Sequence, residues 1–415
     1  MTAFIYRGGA LCADSVPLTS IADHIGTPFY AYSETRMREN FRAFFDPLAD
    51  LHPLVCYAVK ANPNIAVIRA LADCGAGADV TSAGEMERAL KAGVPPQKII
   101  FSGVGKTRDE IAGALKAGLY QINAESIPEL HVISDVARQL GIAAPVALRV
   151  NPNVAAHTHY KIATGEIGTK FGIDAAQLDE AMELTRSLPA LDLKGFLVHI
   201  GSHLFDYGNF REAYGKLADM VRLWRGKGFS ITRLDLGGGV GIPYDGQTQA
   251  PFAEYARVVH ETVGDLGCEL AFEPGRRLVG DAGVLVARVI YDKRGAAKRF
   301  LIIDAGMNDL IRPAMYEARH SIIPLRESTP EAETTPADIV GPICETSDLF
   351  GEDYLLPGVG PGDLVAILQS GAYGAAMSSA YNGRALIPEI MVTNDAFRLI
   401  RRRVTVAEQI GWEEN

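Results

Sequence analysis

Two stretches of this 415-residue chain carry residue types that could do chemistry together. One is an apolar run that closes on a lysine, Val55-Cys56-Tyr57-Ala58-Val59-Lys60-Ala61-Asn62; the other is a distant glycine cluster, Leu236-Gly237-Gly238-Gly239-Val240-Gly241. A lysine amine can form a Schiff base with a carbonyl cofactor. Backbone without side chains can approach a phosphate and turn N–H groups toward it. The pair therefore suits a cofactor that carries both groups. Taken singly, each has a plainer reading: a strand-end lysine is ordinarily a solvated charge, and three glycines are as often a flexible turn.

The elements that would position these residues form a repeating pattern. Strand-like runs fall at 55–59, 78–81, 98–102, 119–123, 146–150, 196–200, 233–236 and 269–272. Between them lie segments of helical periodicity, such as 83–92 and 108–117, the second followed by Gly118 as a C-cap. Eight strands alternating with helices is the count of a closed (β/α)8 barrel, and runs rich in Val, Ile, Leu and Ala suit a parallel sheet covered on both faces. An open doubly wound sheet would alternate in the same way. Each run hands over to polar or glycine-bearing residues: Lys60-Ala61-Asn62, Asp79 with Thr81-Ser82, Ser102-Gly103, Asn123-Ala124-Glu125, Arg149-Val150-Asn151, His199-Ile200-Gly201-Ser202, Asp235 with the glycines, and Glu273-Pro274-Gly275-Arg276. In a barrel all of these lie at the C-terminal end of the strands, where active sites are built.

Beyond about residue 278 the texture changes to alternating runs at 284–290, 300–304 and 363–368 separated by Gly/Pro turns. A barrel over residues 31–277 and a mostly β domain over 1–30 plus 278–415 is the expected organisation. The acidic, Pro/Thr-rich stretch 327–338 is expected to be an exposed loop.

Composition bounds the function classes. With 48% hydrophobic residues the chain can bury a large core, and 40 basic against 50 acidic residues, a net −10, oppose nonspecific attraction to nucleic acid or anionic membrane. No stretch approaches the length of a membrane-spanning helix, and the start MTAFIYRGGALCAD lacks a signal-peptide core. Five scattered cysteines, Cys12, Cys56, Cys74, Cys268 and Cys344, show no CxxC spacing, so free thiols in a reducing, cytoplasmic setting and no metal site are expected.

Six ordered motifs, YAVKAN, HIGSH, DLGGGVGIPY, EPGR, GPICETSD and GAYGAAMSSAYN, make the chain resemble the fold-type III pyridoxal-phosphate decarboxylases, most closely the branch acting on diaminopimelate. The resemblance spans about residues 27 to 400. It implies a barrel followed by a β domain, pyridoxal 5'-phosphate as cofactor, and decarboxylation of meso-2,6-diaminopimelate to L-lysine, the last step of lysine biosynthesis. It also implies a homodimer whose two sites are each completed by the partner subunit.

Residue by residue, the resemblance implies that Lys60 holds the cofactor covalently, Glu273 faces its pyridine nitrogen and His199 stacks on its ring. Gly237, Gly238, Gly239, Gly275, Arg276, Ser202 and Tyr373 would hold the phosphate end. Arg276, Arg312 and Tyr316, with Tyr373 nearby, would grip the distal carboxylate of the substrate, and Glu345 its distal amine. Cys344 would protonate Cα across the dimer, while Asp79 and Arg149 shape the cofactor site. His203 departs from the family, where glutamine is frequent. The alternatives are a decarboxylase of the ornithine, arginine or carboxynorspermidine type, an alanine-racemase-type enzyme, and a noncatalytic regulator of the same fold.

Overall fold

A computed structural model describes residues 3–154, 169–244, 246–248, 251–328 and 335–414. The chain divides into two compact units, one made of Asn40–Ile242 and Gln249–Arg277, the other of Met1–Glu39, Pro243–Thr248 and Leu278–Asn415.

The first unit is a closed barrel of eight parallel strands. In chain order they are Leu54–Ala58, Gly77–Val80, Ile99–Phe101, Gln121–Ala124, Ala144–Arg149, Leu191–Leu197, Arg233–Asp235 and Glu269–Phe272, and the last pairs with the first. Because side chains alternate along a strand, the last one sends Glu269, Ala271 and then Glu273 to the barrel interior at successive heights. At the N-terminal end Glu269 accepts from Arg233 Nε (3.0 Å) and from the Tyr120 hydroxyl (2.8 Å). Cys56, Ile100 and Ala271 form an apolar layer above this ion pair. The layer at the C-terminal end is polar, and it is where the barrel's own candidate residues gather.

The helices expected at 83–92 and 108–117 are present as Ala83–Ala92 and Arg108–Ala117, with Gly118 left-handed at φ 70°. Thr107 and Glu110 close a capping box on the second. Some strand-end polar residues turn out to be caps. Ser82 Oγ accepts from Glu85 N (3.2 Å), and Thr81 N donates to Glu85 (2.7 Å). Strand ends differ by a residue or two from the sequence reading, except for the sixth, which begins at Leu191 rather than 196. Lys194 and Gly195 interrupt its apolar pattern, and the register against the fifth strand shifts between Leu193 and Gly195. Residue 195 must be glycine, because a Cβ there would collide with the Arg233 backbone carbonyl.

The second unit is mostly β. Its large sheet runs in the order Leu349–Tyr354, Ala337–Val340, Arg299–Ile303, Gly283–Arg294, Phe29–Ser33, Glu389–Thr393 and Ala396–Arg401. Phe29–Ser33 is central: it pairs antiparallel with Gly283–Val286 and parallel with Glu389–Val392, and all five residues are buried. This is why the compact unit extends to Glu39, past the expected boundary at residue 30, and it also takes in residues 243–248. A buried cluster that includes Leu11, Leu18, Phe29, Val284, Ala366 and Ile390 joins the N-terminal strands to the C-terminal ones. The expected loop at 327–338 lies partly outside the described residues, at 329–334, and its end, Ala337–Val340, is a strand.

Gly195→Ala should destabilise the barrel by about 2 kcal/mol or more, since the crowding atoms are backbone and cannot rotate away. Urea unfolding of the variant against the parent reads this directly, and an unchanged midpoint would contradict the close approach.

Candidate active site

Lys60 lies in the single turn Val59–Ala61 that follows the first strand, and its Nζ is 2.6 Å from Asp79 Oδ2 at the end of the second. Asp79 is fully buried, whereas the Lys60 side chain keeps 38% of its surface exposed. The pair therefore fixes the lysine's direction while leaving its amine reachable.

Two further carboxyls share this layer. Asp235 is fully buried and Glu273 nearly so. The Glu273 and Asp235 carboxyls are coupled through a hydrogen bond to each other. Asn123 Nδ2 donates to Asp235 Oδ2 (3.1 Å) and to Ser102 Oγ (3.0 Å), and Ser102 donates to Glu273 Oε1 (3.1 Å). Asp235 Oδ1 accepts from Gly237 N (3.0 Å). Burial pushes the Asp235 carboxyl up to about 6 despite these donors, and it lifts Glu273 well above the carboxylate range, with the charges of Asp235 and Asp79 adding to the effect and Lys60 opposing it.

The loop after the seventh strand is knitted to its neighbours. Gly238 N donates to His199 Nδ1 (3.1 Å), and Glu273 N donates to Gly237 O (2.7 Å). Gly237 and Gly239 have φ of 64° and 104°. A Cβ on Gly237 would stand 2.5 Å from Val198 O, one on Gly239 would stand 2.5 Å from Gly201 O, and one on Gly238 would collide with Glu273 O. Two of the three amides are thus already spent on Asp235 and His199, so these glycines contribute close approach more than phosphate donors. His199 keeps part of its ring accessible. Desolvation, then the positive charges of Arg149 and Lys60, hold its pKa well below the usual histidine value. With Nδ1 accepting, the neutral ring carries its proton on Nε2.

Arg276, buried at the start of a short helix after the eighth strand, donates to Ser202 Oγ (3.2 Å). Arg149 is paired with buried Glu125 (2.7 Å), which also accepts from Gly172 N (2.9 Å). His203, next to Ser202, has φ 67°, a left-handed conformation rare for a residue with a side chain. The barrel unit thus brings together Lys60, His199, Ser202, Gly237, Gly238, Gly239, Glu273, Gly275 and Arg276, all on segments following barrel strands.

The other candidates lie in the β unit. Arg312 opens the short helix Arg312–Tyr316 and is buried; its guanidinium sits 4.6 Å over the Tyr244 ring and donates to His320 Nε2 (2.8 Å). Tyr316 is half-buried at the helix end. Cys344 and Glu345 are exposed, the Cys344 amide bonded to Asn382 Oδ1 (2.9 Å) and Glu345 accepting from the Tyr381 hydroxyl (2.6 Å). Tyr373 is half-buried at φ 56°. Such a conformation in a tyrosine costs about 1 kcal/mol or more and marks a position held by its surroundings.

Comparison with known proteins agrees with this geometry. Residues 34–280 match the family model described as pyridoxal-dependent decarboxylase, pyridoxal binding domain. A diaminopimelate decarboxylase of Zymomonas mobilis is 45% identical over 100% of this chain and 99% of its own length. The chain belongs to the diaminopimelate decarboxylase family. Among solved structures, the diaminopimelate decarboxylase of M. jannaschii in co-complex with L-lysine is 36% identical with a TM-score of 0.95, covering 100% of this chain and 98% of that one. The Helicobacter pylori enzyme complexed with L-lysine is 38% identical with a TM-score of 0.92, covering 96% and 99%.

Pyridoxal 5'-phosphate is the cofactor of this family, and the residues of the barrel mouth fit it. A reachable amine, a buried acid whose pKa is raised by burial and by its acidic neighbours, and an uncharged flat ring suit its aldehyde, its ring nitrogen and its ring face. Asp79 Oδ1, buried and without a hydrogen-bond partner among the described residues, adds negative potential beside that group. Four neighbours of the candidate residues received no role from the sequence. Asp235, Asn123 and Ser102 stood in the strand-end motifs, where alternation along their strands marks them as interior; His320, eight residues after Arg312, carried no signal.

A carboxyl whose pKa is raised on folding stabilises the fold below its unfolded value, and that contribution is lost as pH rises through the folded one. Without cofactor, the protein should therefore lose stability between about pH 4 and its Asp235 value of about 6, on the order of 2 to 3 kcal/mol. Urea midpoints across this range should fall in the parent and stay flatter in Asp235→Asn. Parallel profiles would show that the carboxyl titrates normally.

Proposed function

We propose that the protein decarboxylates meso-2,6-diaminopimelate at its D-centre, releasing CO2 and L-lysine in the last step of lysine biosynthesis. The observation that carries this reading is the full-length match, because it includes the β-unit residues that bear on substrate choice as well as the barrel. When bound, the cofactor supplies the electron sink that lets a carboxylate leave Cα as CO2.

The chain's own residues do the rest. Lys60 would hold the cofactor's aldehyde carbon, its amine directed by Asp79. Glu273 would hold a proton at the ring nitrogen, and the neutral His199 ring would pack on the cofactor face without competing as a cation. Arg276 and Ser202, with Gly239, Gly275 and Tyr373, would take the phosphate. Arg312, Arg276 and Tyr316 would hold the distal carboxylate, for which a planar guanidinium is well matched. Glu345 would meet the distal amine, and Cys344 would deliver a proton to Cα after CO2 leaves. Both are exposed in their own subunit, which supports a homodimer in which each serves the partner's site. The barrel would be the cofactor domain, and the β unit would complete the site and the dimer. A reducing cytoplasmic setting, supported by the five free thiols, belongs to the same reading.

CO2 release from meso-diaminopimelate, L-ornithine, L-arginine and L-lysine, measured on the cofactor-loaded protein, tests the reading. Rapid release from diaminopimelate alone, with an equal amount of L-lysine, is expected. Preference for a substrate lacking the distal carboxylate would remove the roles of Arg312 and Tyr316. Lys60→Ala should abolish turnover, and Cys344→Ala should keep cofactor binding while lowering kcat about a hundredfold, as for loss of a general acid. Unchanged kcat in Cys344→Ala would assign the proton to another group.

A further inference from the structure

We infer that His320 is a positioning residue for Arg312 and thereby sets the affinity for the distal carboxylate; this rests on the reading of Arg312 as the residue that binds that group. His320 is fully buried and makes two ring contacts, Nδ1 to Leu368 O (2.8 Å) and Nε2 to Arg312 Nη1 (2.8 Å). A carbonyl oxygen can only accept and a guanidinium can only donate. The two contacts together therefore specify a neutral ring with its proton on Nδ1 and a lone pair on Nε2 facing the arginine.

The ring is held from other sides as well. Tyr354 donates its hydroxyl to the His320 carbonyl, and the Tyr244 ring meets the imidazole edge-on at 5.1 Å. Tyr244 also lies under the guanidinium at 4.6 Å. Arg312 is thus clamped between an aromatic face and a fixed acceptor, and neither contact neutralises its charge. A guanidinium held this way has less rotamer freedom to lose when a carboxylate docks.

Two substitutions separate positioning from scaffolding. In His320→Asn the side-chain amide can replace Nδ1–H toward Leu368 O but does not reach Arg312. In His320→Gln the terminal oxygen can replace Nε2 toward Arg312. On the cofactor-loaded protein, His320→Asn should raise KM for meso-diaminopimelate about ten- to a hundredfold, the range for losing a hydrogen bond to a charged group. Its kcat, its affinity for pyridoxal phosphate and its thermal midpoint should stay near the parent values, and His320→Gln should keep a near-parent KM. Calorimetric binding of L-lysine, which retains the distal carboxylate, should weaken in parallel in His320→Asn. Binding of 1,5-diaminopentane, which has no carboxylate, should not change.

Equal KM values in the two variants would overturn the inference. So would a loss in His320→Asn confined to kcat and cofactor affinity, or failure of both variants to fold. Arg312→Met distinguishes the underlying reading: if it leaves KM and L-lysine binding unchanged, the carboxylate role of Arg312 itself is wrong. If Arg312→Met weakens both while His320→Asn weakens neither, only the positioning role falls.

Discussion

Burying three carboxyls, Asp79, Asp235 and Glu273, inside one end of a barrel is the constraint from which the site's other features follow. Removing a carboxylate from water without compensation costs several kcal/mol, so such groups pair, stay protonated or collect donors. The chain uses all three remedies. Asp79 pairs with Lys60, burial and the neighbouring acids push Glu273 toward its neutral form, and Asp235 gathers donors from Asn123 and Gly237. The charge left over favours a cation, and a protonated ring nitrogen is the kind of cation the family's cofactor can offer. The raised carboxyls are thus a cost to the empty protein and an attraction for the loaded one.

That arrangement works only if the backbone can pass close to the acids, which is the task of the glycine loop. Asp235 binds the Gly237 amide, Glu273 donates its own amide to Gly237 O, and Gly238 fixes the tautomer of His199. Asp235, Glu273, His199 and the glycine loop are therefore one hydrogen-bonded unit. A side chain on any of the three glycines would strike backbone carbonyls rather than movable groups, so the loop cannot adjust locally without shifting Glu273 or His199. Positional precision at the barrel mouth comes from main-chain crowding, which substitutions elsewhere in the loop cannot imitate.

The barrel was legible because its strands are apolar on both faces and its helices carry their stop signals, as at Thr107 and Gly118. The sixth strand was misplaced because a bulge at Gly195 breaks the alternation that sequence reading depends on. Phe29–Ser33 was hard to assign for a different reason: its partners lie some 250 and 360 residues away, and no local pattern announces such pairing. In the site, Lys60, His199, Glu273 and the glycines stood out through motif order. Asp235 and Asn123 did not, since one cap-like polar residue at a strand end looks like another until the barrel closes and superimposes them. His320 was invisible because its importance lies in which neighbour each ring nitrogen meets.

Where the residues proposed for substrate choice fall along the chain decides how far a match on the barrel can carry. The pyridoxal binding domain model ends at residue 280, whereas Arg312, Tyr316, Cys344, Glu345 and Tyr373 all lie beyond it. Pyridoxal chemistry is open to any amino-acid substrate, so the barrel by itself argues for decarboxylation and is silent on the side chain. Selectivity must come from groups that prefer one distal end over another. In the role proposed for Arg312, a buried guanidinium stacked on an aromatic ring and bonded to a neutral imidazole would be such a group: it is a cation, it is removed from water, and Tyr244 and His320 hold it. On that proposed role, a substrate that ends in an amine alone would forgo the paired bonds a distal carboxylate makes with the guanidinium, so discrimination would follow from the bond made to the right ligand.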